Sequence, residues 1–247
     1  MLVVNRKKFF LKIAEVYFCE QDNANAQDVD VIMYVQSSHD REGAKQFHTL
    51  QIDLSKEEDL LFQELGKNNR YKIKRAEKQD HVTFTILTSP EDKDIDDFLS
   101  YYNIFAKTKQ LPKGNRQKLA ALQEMNAIAI TEVKDEQGNR LCAHVYVLDQ
   151  ERVRLLYSAS HFRQLADSAQ RSLIGRANRY LHWLDIKEFK ELGYRTYDFG
   201  GLALEGAEGE TGQIDEFKRG FGGRIVTEFN YFQPKSALGK MAVKLFI

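Results

Sequence analysis

The stretch Gly193-Tyr-Arg-Thr-Tyr-Asp-Phe-Gly-Gly201 decides the fold class, because it joins a long helix to a strand that ends on a glycine pair. Upstream of it, residues 168–192 carry apolar side chains at helical spacing, which predicts a helix. Gly193 predicts the end of that helix, and residues 194–199 predict the strand that it feeds. A helix that returns directly into a strand indicates an α/β fold.

Three short apolar runs precede that helix, at residues 128–133, 141–148 and 153–160, and polar turn sequences separate them. This pattern predicts a three-stranded antiparallel meander. In the middle run, alternate residues are apolar, and this places His144 and Tyr146 together on the other face.

The segments before the meander predict further elements. Residues 9–19 predict a strand, and Ser55-Lys-Glu-Glu58 predicts a capping box at a helix start. Ser89-Pro-Glu-Asp92 predicts a second helix start. Residues 110–115, with a proline and a glycine, predict a linker.

Glycines are concentrated near the end of the chain, where eight of the fifteen lie between Gly200 and Gly223. Glycine costs backbone entropy, so the cluster needs a reason. Ligands of open α/β sheets bind beyond the carboxyl ends of strands, and Gly200-Gly201 follows such an end. Tight turns and a helix end explain the cluster about equally well. Residues 205–213 predict an acidic loop.

Composition excludes several classes of protein. Lys+Arg and Asp+Glu both number 36, so the formal charge is zero and only a local patch could bind a polyanion. No apolar run is long enough to span a membrane, and the amino-terminal residues do not resemble a signal peptide. Two cysteines predict neither a disulfide framework nor a zinc site, so we expect a reducing, cytoplasmic location.

Common catalytic motifs are absent from the sequence. It has neither a P-loop nor a Gly-x-Ser-x-Gly nucleophile turn. The six histidines form no i, i+4 pair, so no metal site is predicted, and His182 with Asp185 suggests a packed surface pair. Residues 67–78 carry six basic side chains against one acid, which predicts either a solvated helix face or a phosphate-binding one. We expect Tyr71 and Ile73 within it to anchor the helix rather than stack on bases.

The order of elements from Ile128 onward, which is meander, helix, strand, short helix and strand, resembles the GNAT acyltransferase fold. Three stretches narrow the resemblance to the FemAB-like branch, which includes aminoacyltransferases related to the peptidoglycan-bridge enzymes. They are Asn69-Arg-Tyr-Lys-Ile-Lys-Arg-Ala-Glu-Lys78, Leu181-His-Trp183 with the stretch from Gly193 to Gly201, and Phe217-Lys-Arg-Gly-Phe-Gly222.

The resemblance implies a GNAT-type N-acyltransferase fold of the α/β (α+β) class, with a mixed, mostly antiparallel sheet flanked by helices. It implies two GNAT-like halves, of which the first is trimmed because the chain is short. The expected division is residues 1–112 on the acceptor side, residues 113–234 as the donor-side domain, and a tail of residues 235–247 that packs on the first half.

The implied activity is transfer of an acyl group from acyl-CoA or aminoacyl-tRNA to an amine of a cell-envelope precursor or a small molecule. No tightly bound cofactor and no DNA partner are expected. Lys218 matches a family lysine near the donor ester, where a cation could neutralise charge developing on the carbonyl oxygen. Asp198 is expected to grip the amine or relay its proton, and capping of the glycine turn is an equal alternative. Tyr157 is a candidate acid for the leaving group, with core packing as the favoured alternative.

The resemblance also implies binding residues. In GNAT proteins, free N–H groups at a helix start receive the donor pyrophosphate. The candidates here are Ser158, Ser172, Gly175 and Arg176. Because Ser172 stands where the usual pattern has Gln or Arg, the case for acyl-CoA is weaker and an aminoacyl-tRNA donor stays open. The candidates for contact with substrates are Lys72, Arg75, His144, Gly200, Gly201, Phe217 and Arg219.

Two other classes of function remain open from the sequence. One is a GNAT-type scaffold that binds a nucleotide-linked ligand or a partner without catalysis, which the change at Ser172 favours. The other is an RNA-binding module that uses the basic residues 67–78 alone.

Overall fold

Strands and helices alternate through the computed structural model, which describes residues 1–20, 26, 28–161, 167–203 and 209–246. The strands are β1 (Leu2–Lys8), β2 (Leu11–Tyr17), β3 (Val31–Ser37), β4 (Lys45–Asp53), β5 (Thr83–Leu87), β6 (Ile128–Lys134), β7 (Arg140–Leu148), β8 (Arg152–Ser160), β9 (Thr196–Leu202) and β10 (Arg224–Pro234). The helices are α1 (Glu58–Glu64), α2 (Lys67–Gln79), α3 (Asp92–Thr108), α4 (Arg116–Glu124), α5 (Ser168–Glu191), α6 (Glu210–Arg219) and α7 (Ala237–Phe246).

Two compact units divide the chain, one of Met1–Thr49 with Ile225–Ile247 and the other of Leu50–Arg224. In the first, the strand order is β1-β2-β3-β10 followed by the start of β4. β1 and β2 are antiparallel, β2 and β3 are parallel, and β10 is antiparallel to β3. The stacked rings of Tyr34 and Tyr231, 4.4 Å between centroids, lie in the core of this unit.

The second unit contains the end of β4 followed by the strand order β9-β8-β7-β6-β5. The predicted meander is confirmed, since β6, β7 and β8 pair antiparallel, and β8 pairs parallel with β9. β7 is buried on both faces from Leu141 to Leu148, because helices cover the sheet. The mixed, mostly antiparallel sheet flanked by helices is therefore confirmed.

Several local predictions match the structure. The helix predicted at 168–192 is α5, and Gly193 ends it with a φ of +89°. The basic helix is α2, and residues 110–115 form no helix or strand. Of the predicted acidic loop, residues 205–208 lie outside the described part of the chain, and α6 begins at Glu210.

Other local predictions are wrong. Residues 9–19 are not one strand, because Phe9 and Phe10 form the turn of the β1–β2 hairpin. The capping box at Ser55 does not form: the Ser55 hydroxyl bonds to Asp53, and α1 starts three residues later without a side-chain cap. At the second helix start, Glu91 rather than Ser89 is the cap residue.

The boundary expected at residue 112 separates two GNAT-like halves of the chain. It is a different division from the one into compact units, and it stays a prediction. The tail does contact the amino-terminal segment, since the Lys235 amide donates to the Asp30 carbonyl and the Ser236 hydroxyl donates to the Asp30 carboxylate. Within the described residues, no helix has both the length and the apolar character needed to cross a bilayer.

Candidate active site

The candidate site lies where β8 and β9 part. Their parallel register runs over three pairs and ends at Arg154 opposite Asp198, although β8 continues to Ser160 and β9 to Leu202. β8 remains paired with β7 up to Ser160, with a register shift between Leu155 and Tyr157. The carboxyl halves of the two neighbouring strands are thus not registered with each other, which is the place where α/β sheets bind ligands.

Gly200 brings the backbone of β9 close to β8 just after the last registered pair. Its φ is +69°, and a Cβ there would lie 3.2 Å from the Leu155 carbonyl oxygen of β8. Only glycine adopts this backbone without cost and leaves room for that carbonyl. The close backbone approach expected at the glycine pair is present. The prediction that the pair follows the end of the strand is wrong, because β9 runs from Thr196 to Leu202 and includes both glycines.

Lys218 lies over this strand end. Its ammonium donates to the Gly201 carbonyl at 2.5 Å. Asp215, one helical turn earlier in α6, accepts the Ala203 amide proton at 3.0 Å and so fastens α6 to the end of β9. Burial lowers the pKa of Lys218 to about 8, although Asp198 and Asp215 act in the opposite direction. At neutral pH this half-buried group is a mostly protonated cation.

Asp198 is fully buried beside it, and both carboxylate oxygens have partners. Oδ1 accepts the Gly200 amide proton at 2.7 Å, which is the capping contact that the sequence allowed. Oδ2 accepts from the Arg152 guanidinium, with Nε at 3.0 Å. The carboxylate therefore holds the glycine turn in place. Its role toward an amine stays a prediction.

Tyr157 and Ser158 occupy the far half of β8. The Tyr157 ring lies 4.6 Å from the Tyr102 ring of α3, and its hydroxyl accepts the Asn115 amide proton at 3.1 Å. These contacts match the packing alternative, and the acid role stays a prediction. Ser158 pairs with His144 across the sheet and is partly exposed.

The expected pyrophosphate-binding stretch does not coincide with the start of α5. The helix begins at Ser168 with Asp167 as its cap, so Ser172, Gly175 and Arg176 lie inside it. From the second turn onward the backbone N–H groups donate within the helix and are not free for a ligand. The Arg176 guanidinium makes two 2.7 Å bonds to the Asp80 carboxylate. The free amides are thus one turn upstream of the expected ones.

Three cations meet where α2 packs on α5. Lys72, Arg176 and Arg179 are close enough that the two guanidinium groups add to burial in lowering the pKa of Lys72. Asn69 accepts from Arg179 Nε at 2.9 Å, while its own buried Nδ2 has no hydrogen-bond partner among the described residues. The Arg179 guanidinium also stacks on Phe217, 4.8 Å from the ring centre, and so links this cluster to α6. Concentrated positive charge of this kind favours an anion.

The outward face of α2 is basic and includes an aromatic side chain. Arg75 is exposed, as are Lys74 and Lys78, and Tyr71 is 62% exposed. Of the two residues expected to anchor the helix, Ile73 is buried as predicted, whereas Tyr71 is exposed and the prediction is wrong for it. Arg219, at the end of α6, is also exposed.

A buried polar chain lies behind the site and connects β7, α5 and β9. Tyr146 donates to Asp185 Oδ2 at 2.6 Å, and its oxygen is 2.7 Å from the Tyr197 hydroxyl, which is 2.7 Å from His182 Nδ1. His144 Nδ1 is 2.7 Å from the same Asp185 oxygen. All five side chains are nearly inaccessible. His182 and Asp185 are therefore not the surface pair that the sequence suggested.

Hydrogen-bond direction fixes the tautomer of His182. Tyr146 gives its single proton to Asp185, so Tyr197 must donate to Tyr146, and His182 Nδ1–H must donate to Tyr197. Burial lowers the pKa of His182 well below its usual range, with His144, Lys218 and Arg179 adding to the shift, so the ring is neutral. Its Nε2 then carries the lone pair.

The same residues have the chemistry of metal ligands. Donor atoms of His144, His182 and Asp185 lie within 4.8 Å of one another. In this structure His144 and Asp185 instead bond to each other at 2.7 Å, which leaves no space for an ion between those two atoms. Asp185 Oδ1 has no hydrogen-bond partner among the described residues.

Among the residues predicted from sequence, Asp198 contacts Gly200 and Lys218 contacts Gly201, while Phe217 packs against Arg179 and Phe221. Their roles in a site stay predictions. Sequence reasoning missed the cations Arg152, Arg154 and Arg179, as well as Asp215 and the buried chain. The spacing of His182 and Asp185 on one helix was the available signal for that chain. His144 is fully buried within it, and its role toward substrate stays a prediction.

A pocket of about 440 Å³ lies elsewhere in this unit, where β8 and β9 begin. Arg195, Thr196 and Arg224 are among its lining residues. None of the predicted site residues lines it, so it is separate from the candidate site.

Comparison with known proteins adds the family. The model of the acetyltransferase (GNAT) domain matches residues 64–219, which is more than half of the chain and includes Lys72, Asp198 and Lys218. The chain belongs to the GNAT family. The GNAT-type fold expected from the sequence is therefore confirmed. Among curated protein sequences, none matches this chain.

Solved structures resemble the GNAT chain over nearly its whole length. The crystal structure of FemX matches with a TM-score of 0.66 and 14% identity, covering 99% of this chain and 86% of that one. The C-terminal domain of a putative lysylphosphatidylglycerol synthetase from Agrobacterium fabrum matches with a TM-score of 0.58 and 12% identity, covering 98% and 83%. At such low sequence identities the similarity shows the fold alone. The fold of this GNAT chain is therefore similar to that of FemX.

Proposed function

We propose that this protein transfers an acyl or aminoacyl group from an activated carboxyl donor to an amine. Membership of the GNAT family and the FemX-like fold support an acyltransferase in general. The observation that carries the proposal is the position of Lys218, a half-buried ammonium on the Gly201 carbonyl at the point where β8 and β9 part.

In the proposed reaction the acceptor amine attacks the donor carbonyl carbon. A C–N bond forms, the C–O or C–S bond to the donor breaks, and the amine loses a proton. Lys218 supplies positive charge to the carbonyl oxygen as it becomes an oxyanion, because an already buried cation needs little solvent reorganisation. The proposal also assigns Asp198 to grip the amine and Tyr157 to protonate the leaving group.

For the donor, we favour aminoacyl-tRNA over acyl-CoA. Acyl-CoA is the usual donor of the GNAT family, but Ser172 and Gly175 lie inside α5, where their amides are already bonded. The exposed basic face of α2, with Tyr71 among its cations, suits an RNA backbone and a stacked base. Lys72, Arg75 and Arg219 are the proposed phosphate contacts.

For the acceptor, we propose an amine on a cell-envelope precursor, with a small-molecule amine as the alternative. The name of one similar structure, a putative lysylphosphatidylglycerol synthetase, supports by analogy only the cell-envelope part, because phosphatidylglycerol carries hydroxyl groups and no amine. The amine part rests on the N-acyltransfer expected of a GNAT protein. Gly200, Gly201 and Phe217 are the proposed contacts for the acceptor.

A second candidate function is a scaffold that binds a nucleotide-linked ligand without catalysis. The displacement of the expected pyrophosphate contacts into the interior of α5 favours it. Donor binding without turnover would be its signature.

The test is a donor screen with the purified chain. Charged tRNA and acetyl-CoA, each labelled in the acyl group, are offered with a set of primary amines, and labelled amide is counted. We expect transfer from charged tRNA, and Lys218→Ala should lower it by about a hundredfold or more with little change in melting temperature.

Lys113→Ala is the matched control, because it removes an exposed lysine far from α6 in sequence and should leave transfer unchanged. Loss of stability in Lys218→Ala equal to its loss of activity would contradict a functional role for Lys218. Binding of a donor without product in the parent protein would favour the scaffold.

A further inference from the structure

The β1–β2 hairpin ends in two phenylalanines that the fold does not use. The strands pair from Leu2 with Tyr17 to Lys8 with Leu11, and Phe9 and Phe10 form the two-residue turn. Phe9 is 90% exposed and Phe10 is 78% exposed. Their neighbours Lys7 and Lys8 are exposed as well. Two adjacent aromatic rings at a hairpin tip form an apolar surface that folding alone does not explain.

The turn also bears a conformational cost. Phe9 has a φ of +56°, in the left-handed region where bulky residues are rare. Two-residue hairpin turns prefer glycine, asparagine or aspartate at such positions. Stability of the hairpin would thus favour another residue at position 9, and the aromatic side chain requires a different reason.

The two strands next to the tip carry mostly basic side chains. Residues 1–14 contain Arg6, Lys7, Lys8 and Lys12 and no acid. Arg6 pairs with Glu15 and Lys12 with Asp28, and Arg6 and Lys12 lie within three strand pairs of the turn. Lys7 stands directly opposite Lys12 in the register, an arrangement of like charges that destabilises a strand pair. Asp28 already neutralises part of this charge through Lys12, and a negatively charged surface would add to that neutralisation at Lys7 and Lys8.

We propose that the hairpin tip, defined as residues 7–10, docks on the surface of an anionic lipid bilayer. The phenyl rings enter the boundary between headgroups and acyl chains, and the lysine ammonium groups remain at the level of the phosphates. Rings at the tip with cations behind them match this layered chemistry. The inference does not rest on the proposed function, because the hairpin and the candidate site belong to different compact units.

The test is cosedimentation of the full chain with phosphatidylcholine vesicles, with and without about a third of phosphatidylglycerol. We expect binding only with the anionic lipid and weaker binding at high salt. The variant Phe9→Asn/Phe10→Ser removes both rings and suits the left-handed turn, so it should keep or raise the melting temperature. It should lower vesicle affinity about tenfold or more.

Matched controls separate the rings from the charges. Phe232→Ser removes a phenyl group that is 40% exposed on β10. Lys107→Gln/Lys113→Gln removes two exposed charges that are far from the hairpin in sequence. Both control variants should bind vesicles as the parent protein does. Lys7→Gln/Lys8→Gln should weaken binding. Equal binding to neutral vesicles would overturn the proposal, and so would unchanged vesicle binding by the Phe9→Asn/Phe10→Ser variant. A variant that keeps its vesicle binding but loses a self-associated form of the protein would also overturn it, because the rings would then serve contact between copies of the chain.

Discussion

Gly200 is the residue on which the geometry of the site depends most directly. It combines a φ of +69° with a close approach to the Leu155 carbonyl, and Asp198 accepts its amide proton. The turn brings the Gly201 carbonyl to Lys218. A side chain at position 200 would therefore act on the fold and on the site together.

We expect Gly200→Ala to destabilise the protein for two reasons, the left-handed backbone and the clash of Cβ with a backbone oxygen. Gly138→Ala is the matched control, because Gly138 has a φ of +82° and no atom within 4 Å of its Cβ position. The control should lose about 1–2 kcal/mol in urea denaturation. Gly200→Ala should lose about 1–3 kcal/mol more. Equal losses in the two variants would contradict the close approach.

At the scale of elements, the buried polar chain is the contact that holds β7, α5 and β9 in one arrangement. Hydrogen bonds join Tyr146 of β7 to Asp185 of α5 and to Tyr197 of β9. Tyr197 in turn bonds to His182 of α5. Burial raises the pKa of both tyrosines well above the usual value, so both hydroxyls stay protonated and can donate. The chain thereby fixes the helix against the strand that carries the site.

Tyr197→Phe should break this chain, because it removes the acceptor of His182 Nδ1 and the donor to Tyr146. We expect a loss of about 1–3 kcal/mol in the free energy of unfolding, since buried polar atoms lose their partners. Tyr71→Phe, which removes an exposed hydroxyl, should change stability by about 0.5 kcal/mol or less. Similar values for the two variants would mean that the buried chain contributes nothing to stability.

For the whole molecule, the elements with strong periodicity were predictable from sequence. The meander and α5 follow from apolar spacing, and the end of α5 follows from Gly193, because these signals are local. The hairpin was missed because Phe9 and Phe10 have the apolar character of a strand while forming a turn. Helix α4 was missed as well, and its cap, Asn115, lies in the predicted linker.

The site was predictable only in part, for a physical reason. Lys218, Gly200 and Phe217 occur in short motifs that the resemblance matched. The contacts of Asp185 with Tyr146, and of Arg152 with Asp198, join residues about forty apart, and spacing along the chain does not reveal which of them meet. The position of Ser172 inside α5 depends on where the helix begins, which is the least predictable property of a helix.

The central claim is that an activated carboxyl donor binds where β8 and β9 part, with its carbonyl oxygen at Lys218. A crystal structure with a stable donor analogue, an aminoacyl group linked by an amide to the 3′ carbon of a terminal adenosine, tests this most directly. We expect the carbonyl oxygen within hydrogen-bond distance of Lys218 Nζ, in place of the Gly201 carbonyl. An analogue bound at another surface, with the Lys218–Gly201 contact unchanged, would contradict the account.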